Sequence, residues 1–329
     1  MDSSALVKSL CNIWKEVSTF NDAEVIGLYL NAVQLTVEKI DKKTAVKQAT
    51  LFMKWLITAF EFSSKNELKS EAEQFDINTV RRLEGSFHTC GILYSMKLND
   101  RTFRPLFASL VRWAVSGEGS QIECKKTERL AAFFKFFNKL QEQLKSIITL
   151  YYSYVVDPVS ELLSQFAQNK LKDVNMRRIL LNSLTSSFKY DQDDFWSQQL
   201  RFDTIEGPLL EQLSNIEDSI GKYVVKSITA FAVNVASDEH NEKLVHGLIK
   251  YISNNEANVS SKTKLWAVKV LRQIFQKMGE QWLPFLPTLI PYIAELLEDD
   301  DEAVESEVRR GLVKVIEKVL GEPLDRYLD

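Results

Sequence analysis

Glycine and proline are scarce in this sequence. Its 329 residues include 11 glycines and 7 prolines, roughly half of average usage. Antiparallel sandwiches and barrels need many glycine- and proline-rich turns, so the shortage argues against an all-β fold and favours long helices. The apolar fraction of 45% and the charged fraction of 26% are ordinary for a globular chain, which excludes wholesale disorder and collagen-like repeats.

Cysteine and histidine are also few. Cys11, Cys90 and Cys124 are odd in number and far apart, which is typical of free thiols in a reducing compartment and not of a disulfide framework. A zinc site needs about four ligands, and the three histidines are scattered without a matching cluster of partners. We therefore expect no metal and no cofactor.

Motifs for membrane insertion and for catalysis are missing as well. No apolar run approaches the roughly 20 residues that span a bilayer, and residues 1–20 lack the pattern of a secretory signal peptide. The glycine pair Gly117 and Gly119 lacks the spacing of a phosphate-binding loop. We expect no membrane partner, no small-molecule substrate and no enzymatic activity. A catalytic triad assembled from distant residues is the alternative left open.

The net charge of −4 is unevenly spread. Residues 281–329 carry a net charge of −7, so the rest of the chain is slightly positive; a nucleic-acid-coating protein is usually strongly basic. The acids between 298 and 307 form either a solvated cap of the last helix or a docking patch for a basic partner. The candidate patch comprises Glu298, Asp299, Asp300, Asp301, Glu302 and Glu305.

The hydrophobic pattern is helical and repeats along the chain. Apolar residues recur with a period of 3.6 over 303–320, which predicts an amphipathic helix ending at Gly321. A shorter helix beginning near Pro287 precedes it, and a similar short–long pair ends at Gly279, 42 residues earlier. HEAT and armadillo arrays have periods of about 40–47 residues.

Earlier pairs follow the same scheme. Pro105, Pro158 and Pro208 begin similar segments, and each is predicted to open the first helix of a pair, because proline suits a first helical turn. Residues 124–150 are predicted as one long second helix. Residues 79–98 are predicted as a helix, with a strand over 88–96 as the alternative.

The predicted fold is all-α, an elongated α-solenoid of HEAT-like helix pairs. No pair can bury both of its apolar faces alone, so stacked pairs share one continuous core. Three domains are expected: irregular N-terminal helical repeats over 1–100, cut from a longer array; helix-pair repeats over 101–236, with an insertion loop near 190–203; and two C-terminal HEAT repeats with an acidic cap over 237–329.

Basic residues on the second helices are the candidate contact site for a partner or RNA. Equivalent helices of a solenoid line one surface, so these side chains would form a ladder facing phosphates or an acidic partner; an ordinary solvated face is the alternative. The aromatic run 133–137 is interpreted as core and not as a platform for stacked bases. The candidate contacts are Lys262, Lys269, Arg272, Arg177, Arg178, Lys125, Lys126 and Arg129.

Several segments resemble the C-terminal region of the U3 small nucleolar RNA-associated protein 10 family of large nucleolar HEAT-repeat proteins. They are TFRPLF at 102–107, RWA at 112–114, WAVK at 266–269, LPTLIPYIAELLEDDDE at 286–302 and LGEPLDRYL at 320–328. The last segment is the most specific, because generic HEAT repeats lack that ending. Family members are several times longer, so the resemblance implies one terminal portion of such a protein.

The resemblance implies a non-catalytic scaffold in ribosome biogenesis, located in the nucleus and nucleolus. It would be part of the small-subunit processome, supporting pre-rRNA transcription, rRNA processing and 18S rRNA maturation. The implied partners are other processome proteins, with contacts to the 5′ external transcribed spacer of pre-rRNA or to U3 snoRNA left open. The alternative is a HEAT-repeat scaffold or transport-receptor-like adaptor unrelated to ribosome assembly.

Overall fold

The protein is built of helices. The computed structural model describes residues 2–20, 22–68, 75–254 and 259–328, and within these ranges every regular element is helical. Neighbouring helices pack in pairs, so the prediction of an all-α solenoid is confirmed. None of the helices described is long and apolar enough to span a membrane.

The chain divides into two compact units, residues 1–144 and residues 145–329, called here the N-terminal and the C-terminal unit. The predicted boundaries after residues 100 and 236 rest on the regularity of the repeats, and that three-part division stays a prediction.

The N-terminal unit contains six helices within its described residues. They are α1 (Ser3–Val17), α2 (Ala23–Lys39), α3 (Lys42–Leu68), α4 (Ile77–Ser95), α5 (Asp100–Ser116) and α6 (Lys126–Leu144). Five of them begin after an Asp or Asn whose side chain accepts backbone N–H groups of the first turn, which satisfies donors that have no partner within the helix. Helix α3 packs on α1, α4, α5 and α6. Residues 79–98 were predicted as a helix with a strand over 88–96 as the alternative, and α4 shows that the helix prediction is correct.

Aromatic side chains fill the core of the N-terminal unit. Phe133, Phe134, Phe136 and Phe137 are each at most 1% exposed, because α6 turns these rings toward α3, α4 and α5. The interpretation of this run as core is confirmed, and none of the four rings is available for stacking on a base.

The long helix predicted over 124–150 is wrong. Helix α6 ends at Leu144 because Lys145 adopts a φ of +50°, which a right-handed helix cannot continue. A short helix, α7 (Ser146–Thr149), and a 3-10 helix, Leu150–Tyr154, follow the break.

The C-terminal unit arranges its longer helices in two layers. After α7 its helices are α8 (Val156–Ala167), α9 (Val174–Tyr190), α10 (Gln199–Leu210), α11 (Asp218–Asn234), α12 (Asp238–Ile249), α13 (Ser261–Met278), α14 (Leu286–Leu297), α15 (Glu302–Glu307) and α16 (Val313–Leu320). Helices α8, α10, α12 and α14 pack consecutively in one layer, and α9, α11 and α13 in the other. The predicted short–long pairing is therefore present in this unit.

Helices α15 and α16 are joined by one π-helical turn, Val308–Leu312. Val308 and Leu312 within this turn, and Val304 and Ile316 on either side of it, are all fully buried. The π-turn therefore keeps one apolar face against the core along the whole of the segment predicted as a single amphipathic helix.

Two of the three proline predictions are wrong. Pro158 lies in the first turn of α8, but Pro105 lies in the interior of α5 and Pro208 near the end of α10. Helix α5 begins earlier than predicted because the Asn99 side chain accepts the backbone N–H of Thr102 at 2.9 Å and caps it.

The predicted insertion loop over 190–203 is shorter in the structure. Only residues 191–198 are non-helical, because α10 begins at Gln199. The Asp191 carboxylate accepts the backbone N–H groups of Phe195 and Trp196, at 3.1 and 3.0 Å. Both aromatic side chains are fully buried, so the loop is a packed connection.

Candidate partner-binding groove

An open groove of about 890 Å³ lies on the layer formed by α9, α11 and α13. Its walls are the end of α9, the turn after it, and the facing sides of α11 and α13. All of these elements belong to the C-terminal unit, and this surface is called here the α9–α11–α13 groove.

Cations outnumber carboxylates on the walls of the groove by six to two. The cations are Lys189, Lys222, Lys226, Lys269, Arg272 and Lys277; the carboxylates are Asp191 and Asp194. A concave surface lined mainly by one sign of charge raises the local concentration of ligands of the opposite sign. The groove therefore favours an acidic ligand.

Apolar side chains lie between these cations. Helix α11 contributes Val225, Ala230 and Val233, and α13 contributes Trp266. Val233 is 45% exposed, although most of the large apolar side chains of this unit are buried. The groove thus combines a charged rim with an apolar strip along one face of α11.

Three of the residues predicted to contact a partner lie on α13, and each makes a different contact within the chain. The Lys262 ammonium lies 3.3 Å from the Asp218 carboxylate at an exposed position. Lys269 lines the groove, with its ammonium 4.4 Å from the centre of the Trp266 ring. Arg272 also lines the groove and pairs with Glu307.

The Arg272–Glu307 pair is close and partly shielded. Nη1 of Arg272 lies 2.6 Å from Oε1 of Glu307, and the two side chains are 31% and 16% exposed. The pair packs against Gly311, where a Cβ atom would lie 2.9 Å from that oxygen. Arg272 is therefore held by the C-terminal helices and less available than the lysines around it.

The prediction that Arg177 contacts a partner is wrong. Arg177 is 7% exposed, and its guanidinium donates to the side chain and backbone carbonyl of Gln212 and to the backbone carbonyl of Asn215. It secures the turn after α10. The neighbouring Arg178 lies over the Tyr223 ring at 5.1 Å, half-buried at the contact of α9 with α11.

Arg129 is likewise structural, so its predicted role in contacting a partner is wrong. It is 9% exposed and donates to the backbone carbonyls of Trp113 and Cys124, which joins the end of α5 to the start of α6. Lys125 and Lys126, beside it, are exposed at the start of α6. They belong to the N-terminal unit, and their predicted contacts stay a prediction.

Three of the six residues of the candidate acidic patch make contacts within the chain. The Asp299 carboxylate lies 2.7 Å from the Lys264 ammonium and is 4% exposed. Asp301 caps α15 by accepting backbone N–H groups, and Glu305 pairs with Arg309 at 2.5 Å. The exposed members are Glu298, Asp300 and Glu302, which form a smaller docking surface than the sequence suggests.

Sequence reasoning missed four lysines of the groove: Lys189, Lys222, Lys226 and Lys277. A signal for two of them was present, since Lys222 and Lys226 are four residues apart and therefore lie on one helical face. Val225 and Val233 share that face. Exposed apolar residues among lysines are typical of a surface that binds a partner.

The buried titratable groups of the N-terminal unit do not form a chemical centre. Burial raises the pKa of the thiols of Cys11 and Cys90 to about 12, so both are protonated at neutral pH. Burial lowers the pKa of His88 to about 3, and its ring packs on Phe60 and Phe136. Across the described ranges, no three His, Cys, Asp or Glu residues come together as a metal site.

Fold and groove together define a class, the helical-repeat proteins, whose stacked helices present extended surfaces. A family model described as the BP28CT (NUC211) domain matches residues 44–196. Proteins called U3 small nucleolar RNA-associated protein 10 match the whole chain, with 68% identity in Scheffersomyces stipitis, 62% in Meyerozyma guilliermondii and 50% in Saccharomyces cerevisiae.

The chain spans 18% of the length of these curated relatives. The resemblance inferred from the sequence is thereby confirmed, as a similarity to one portion of those proteins. An engineered protein of known structure matches 98% of the chain with a TM-score of 0.39 and 14% identity, which is too low to bear on the fold.

Proposed function

We propose that this chain is a non-catalytic scaffold module that acts in ribosome biogenesis. The observation that carries the proposal is 68% identity over the whole chain to a protein named for its association with U3 small nucleolar RNA. The coarse role follows from that name and from the helical-repeat fold. More specifically, we propose that the chain is the C-terminal part of a small-subunit processome component and is located in the nucleolus.

The mechanism we propose is the presentation of surfaces to other processome proteins. The layered helices of the C-terminal unit hold the α9–α11–α13 groove in place, so a partner meets a surface that is already formed and loses less conformational freedom on binding. Such a module would help to hold the assembly that supports pre-rRNA transcription and 18S rRNA maturation. Contacts to the 5′ external transcribed spacer or to U3 snoRNA belong to the assembled particle.

Affinity purification tests this proposal. The tagged chain, expressed in a budding yeast, is purified, and U3 snoRNA and 18S precursors are quantified against a precursor of the large subunit. We expect enrichment of U3 snoRNA and of the 18S precursors. Purification with transport receptors or cytoplasmic cargo, without ribosomal precursor RNA, would favour the adaptor alternative and contradict the proposal.

A further inference from the structure

We propose that the α9–α11–α13 groove binds an acidic, amphipathic segment of a protein partner. The segment would direct carboxylates to the lysines of the rim and apolar side chains to the strip that contains Val225 and Val233. This inference deepens the proposed scaffold role by naming the chemistry of a partner, and it rests on that role only for its biological setting.

The first argument is the pairing of charges. Some lysines of the C-terminal unit pair with carboxylates of the same chain, as Lys243 does with Glu239 and Lys264 with Asp299, whereas others, such as Lys170 and Lys318, make no ion pair within the described residues. The five lysines of the groove likewise make no ion pair with a carboxylate within the described residues. The groove thus gathers five unpaired cations on one concave surface, where they can act together on an external acid.

The second argument is the apolar strip. Along α11 the groove-lining residues Lys222, Val225, Lys226, Thr229 and Val233 follow one another at intervals of one to four residues on a single helical face. A face that only contacts water gains nothing from an exposed valine, whereas an amphipathic helix laid in a groove anchors apolar side chains at this spacing. The strip therefore matches an amphipathic ligand better than a purely charged one.

A protein segment fits the groove better than RNA does. Single-stranded RNA is held by stacking its bases on open aromatic faces, but Lys269 covers the Trp266 ring at 4.4 Å and Arg178 covers the Tyr223 ring at 5.1 Å. Phosphates also gain nothing from an apolar strip.

The test measures binding of a fluorescent synthetic peptide to the full chain by anisotropy. The peptide has about 15 residues, enough for marginal helix formation, with leucines at helical spacing and glutamates elsewhere. A scrambled peptide of the same composition removes the apolar face but keeps the charge. A peptide with glutamine in place of glutamate removes the charge, and a single-stranded RNA oligonucleotide probes the competing class of ligand.

Two variants with matched controls locate the site. Lys226→Glu reverses one charge in the groove, and Lys170→Glu makes the same change at an exposed lysine outside it. Val233→Ser removes the apolar contact, whereas Leu200→Ser does so at a residue outside the groove that is 80% exposed. Circular dichroism checks that all four variants remain folded.

We expect Lys226→Glu to weaken peptide binding roughly 10-fold and Val233→Ser roughly 3-fold, with both controls near wild type. The scrambled and glutamine peptides should bind more weakly than the parent peptide. Equal binding of the scrambled peptide, equal effects of the controls, or RNA binding that is tighter and sensitive to the same variants would overturn the inference. Because no ribosomal material is used, this test and the purification of precursor RNA can fail separately.

Discussion

In the N-terminal unit two basic side chains of α6, Arg129 and Lys135, are engaged by the protein itself, whereas in the C-terminal unit basic side chains on α9, α11 and α13 line an open groove. Arg129 donates to two backbone carbonyls, and the Lys135 ammonium lies 3.2 Å from the Glu84 carboxylate with both side chains largely shielded. The groove lysines Lys222 and Lys226 are exposed. A cation on a second helix is thus available to a partner only where the chain supplies no acceptor.

The packing of aromatic rings on glycines differs between the units as well. In the N-terminal unit, a Cβ atom on Gly91 would lie 2.9 Å from the Phe136 ring. In the C-terminal unit, a Cβ atom on Gly221 would lie 2.2 Å from the Trp266 ring, so this ring packs more closely against α11. The Trp266 side chain also lines the groove.

The largest expected effect distinguishes structural from available cations. Arg129→Ala removes the donor to two carbonyls in a shielded position, and we expect a loss of about 2–4 kcal/mol in the free energy of unfolding. Lys226→Ala, at an exposed groove position, should change it by less than about 0.5 kcal/mol. Urea unfolding measures both, and equal losses would break the comparison between the units.

The next effect tests the close approach of helices. Gly221→Ala should lower the free energy of unfolding by about 3 kcal/mol, because the Trp266 ring must move to admit a methyl group. Gly91→Ala should lower the free energy of unfolding less, because the side-chain atoms nearest to its new methyl group lie 2.9–3.1 Å away, compared with 2.2 Å for the Trp266 ring at Gly221. Gly207→Ala has open space around it and is the control. A Gly221 variant as stable as this control would contradict the packing described here.

A third prediction compares two lysines of α13. Lys264→Met leaves Asp299, which is 4% exposed, without its counter-charge, and we expect a loss of about 2 kcal/mol in the free energy of unfolding. Lys262→Met removes a surface pair and should cost less than about 1 kcal/mol. Thermal unfolding ranks the two variants, and the reverse order would show that exposure does not decide the strength of these pairs.

The smallest effect is a dependence on pH that arises in the N-terminal unit. Burial lowers the pKa of His88 to about 3, and Lys135 and Lys139 act in the same direction. The unfolded chain takes up this proton near pH 6.5, so the stability that the neutral ring provides is complete above that pH and is lost progressively as the pH falls toward 3.

We expect this group to contribute a loss of about 1–2 kcal/mol between pH 7 and pH 5. His88→Leu should remove that part of the pH dependence in urea unfolding. His246→Leu, at an exposed histidine, should leave it in place. An unchanged slope in the His88 variant would mean that other groups govern the acid response.

The helices were largely predictable, because apolar periodicity and caps are local properties of the sequence. Helix α13 and its end at Gly279 follow from such signals, as do the groove contacts Lys269 and Arg272 on its polar stripe. The roles of Arg129 and Arg177 were not predictable, because most of their acceptors are backbone carbonyls. Every residue has a backbone carbonyl, so the sequence does not show which one will accept a hydrogen bond from a distant arginine. That depends on where the turns lie in the folded chain.

The proline predictions were wrong for a related reason. Proline in a first helical turn is a preference, and the cap at Asn99 determined the start of α5 instead. The groove lysines on α11 were missed because two lysines four residues apart are equally common on a helix face that only contacts solvent. Only the packing of α11 between α9 and α13 shows that Val225 and Val233 accompany those lysines at one surface.

The π-helical turn Val308–Leu312 determines how this segment can change in length. A π-turn holds about one residue more than the α-helical turn that it replaces, and it thereby keeps Val304 and Ile316 on one buried face. Deleting one residue within the turn would restore regular α-helical hydrogen bonding and leave Ile316 on that face. Deleting one residue after the turn, within α16, would instead rotate every later side chain by about 100° around the axis. The loss of a single residue is therefore expected to be tolerated better in the π-turn than in α16.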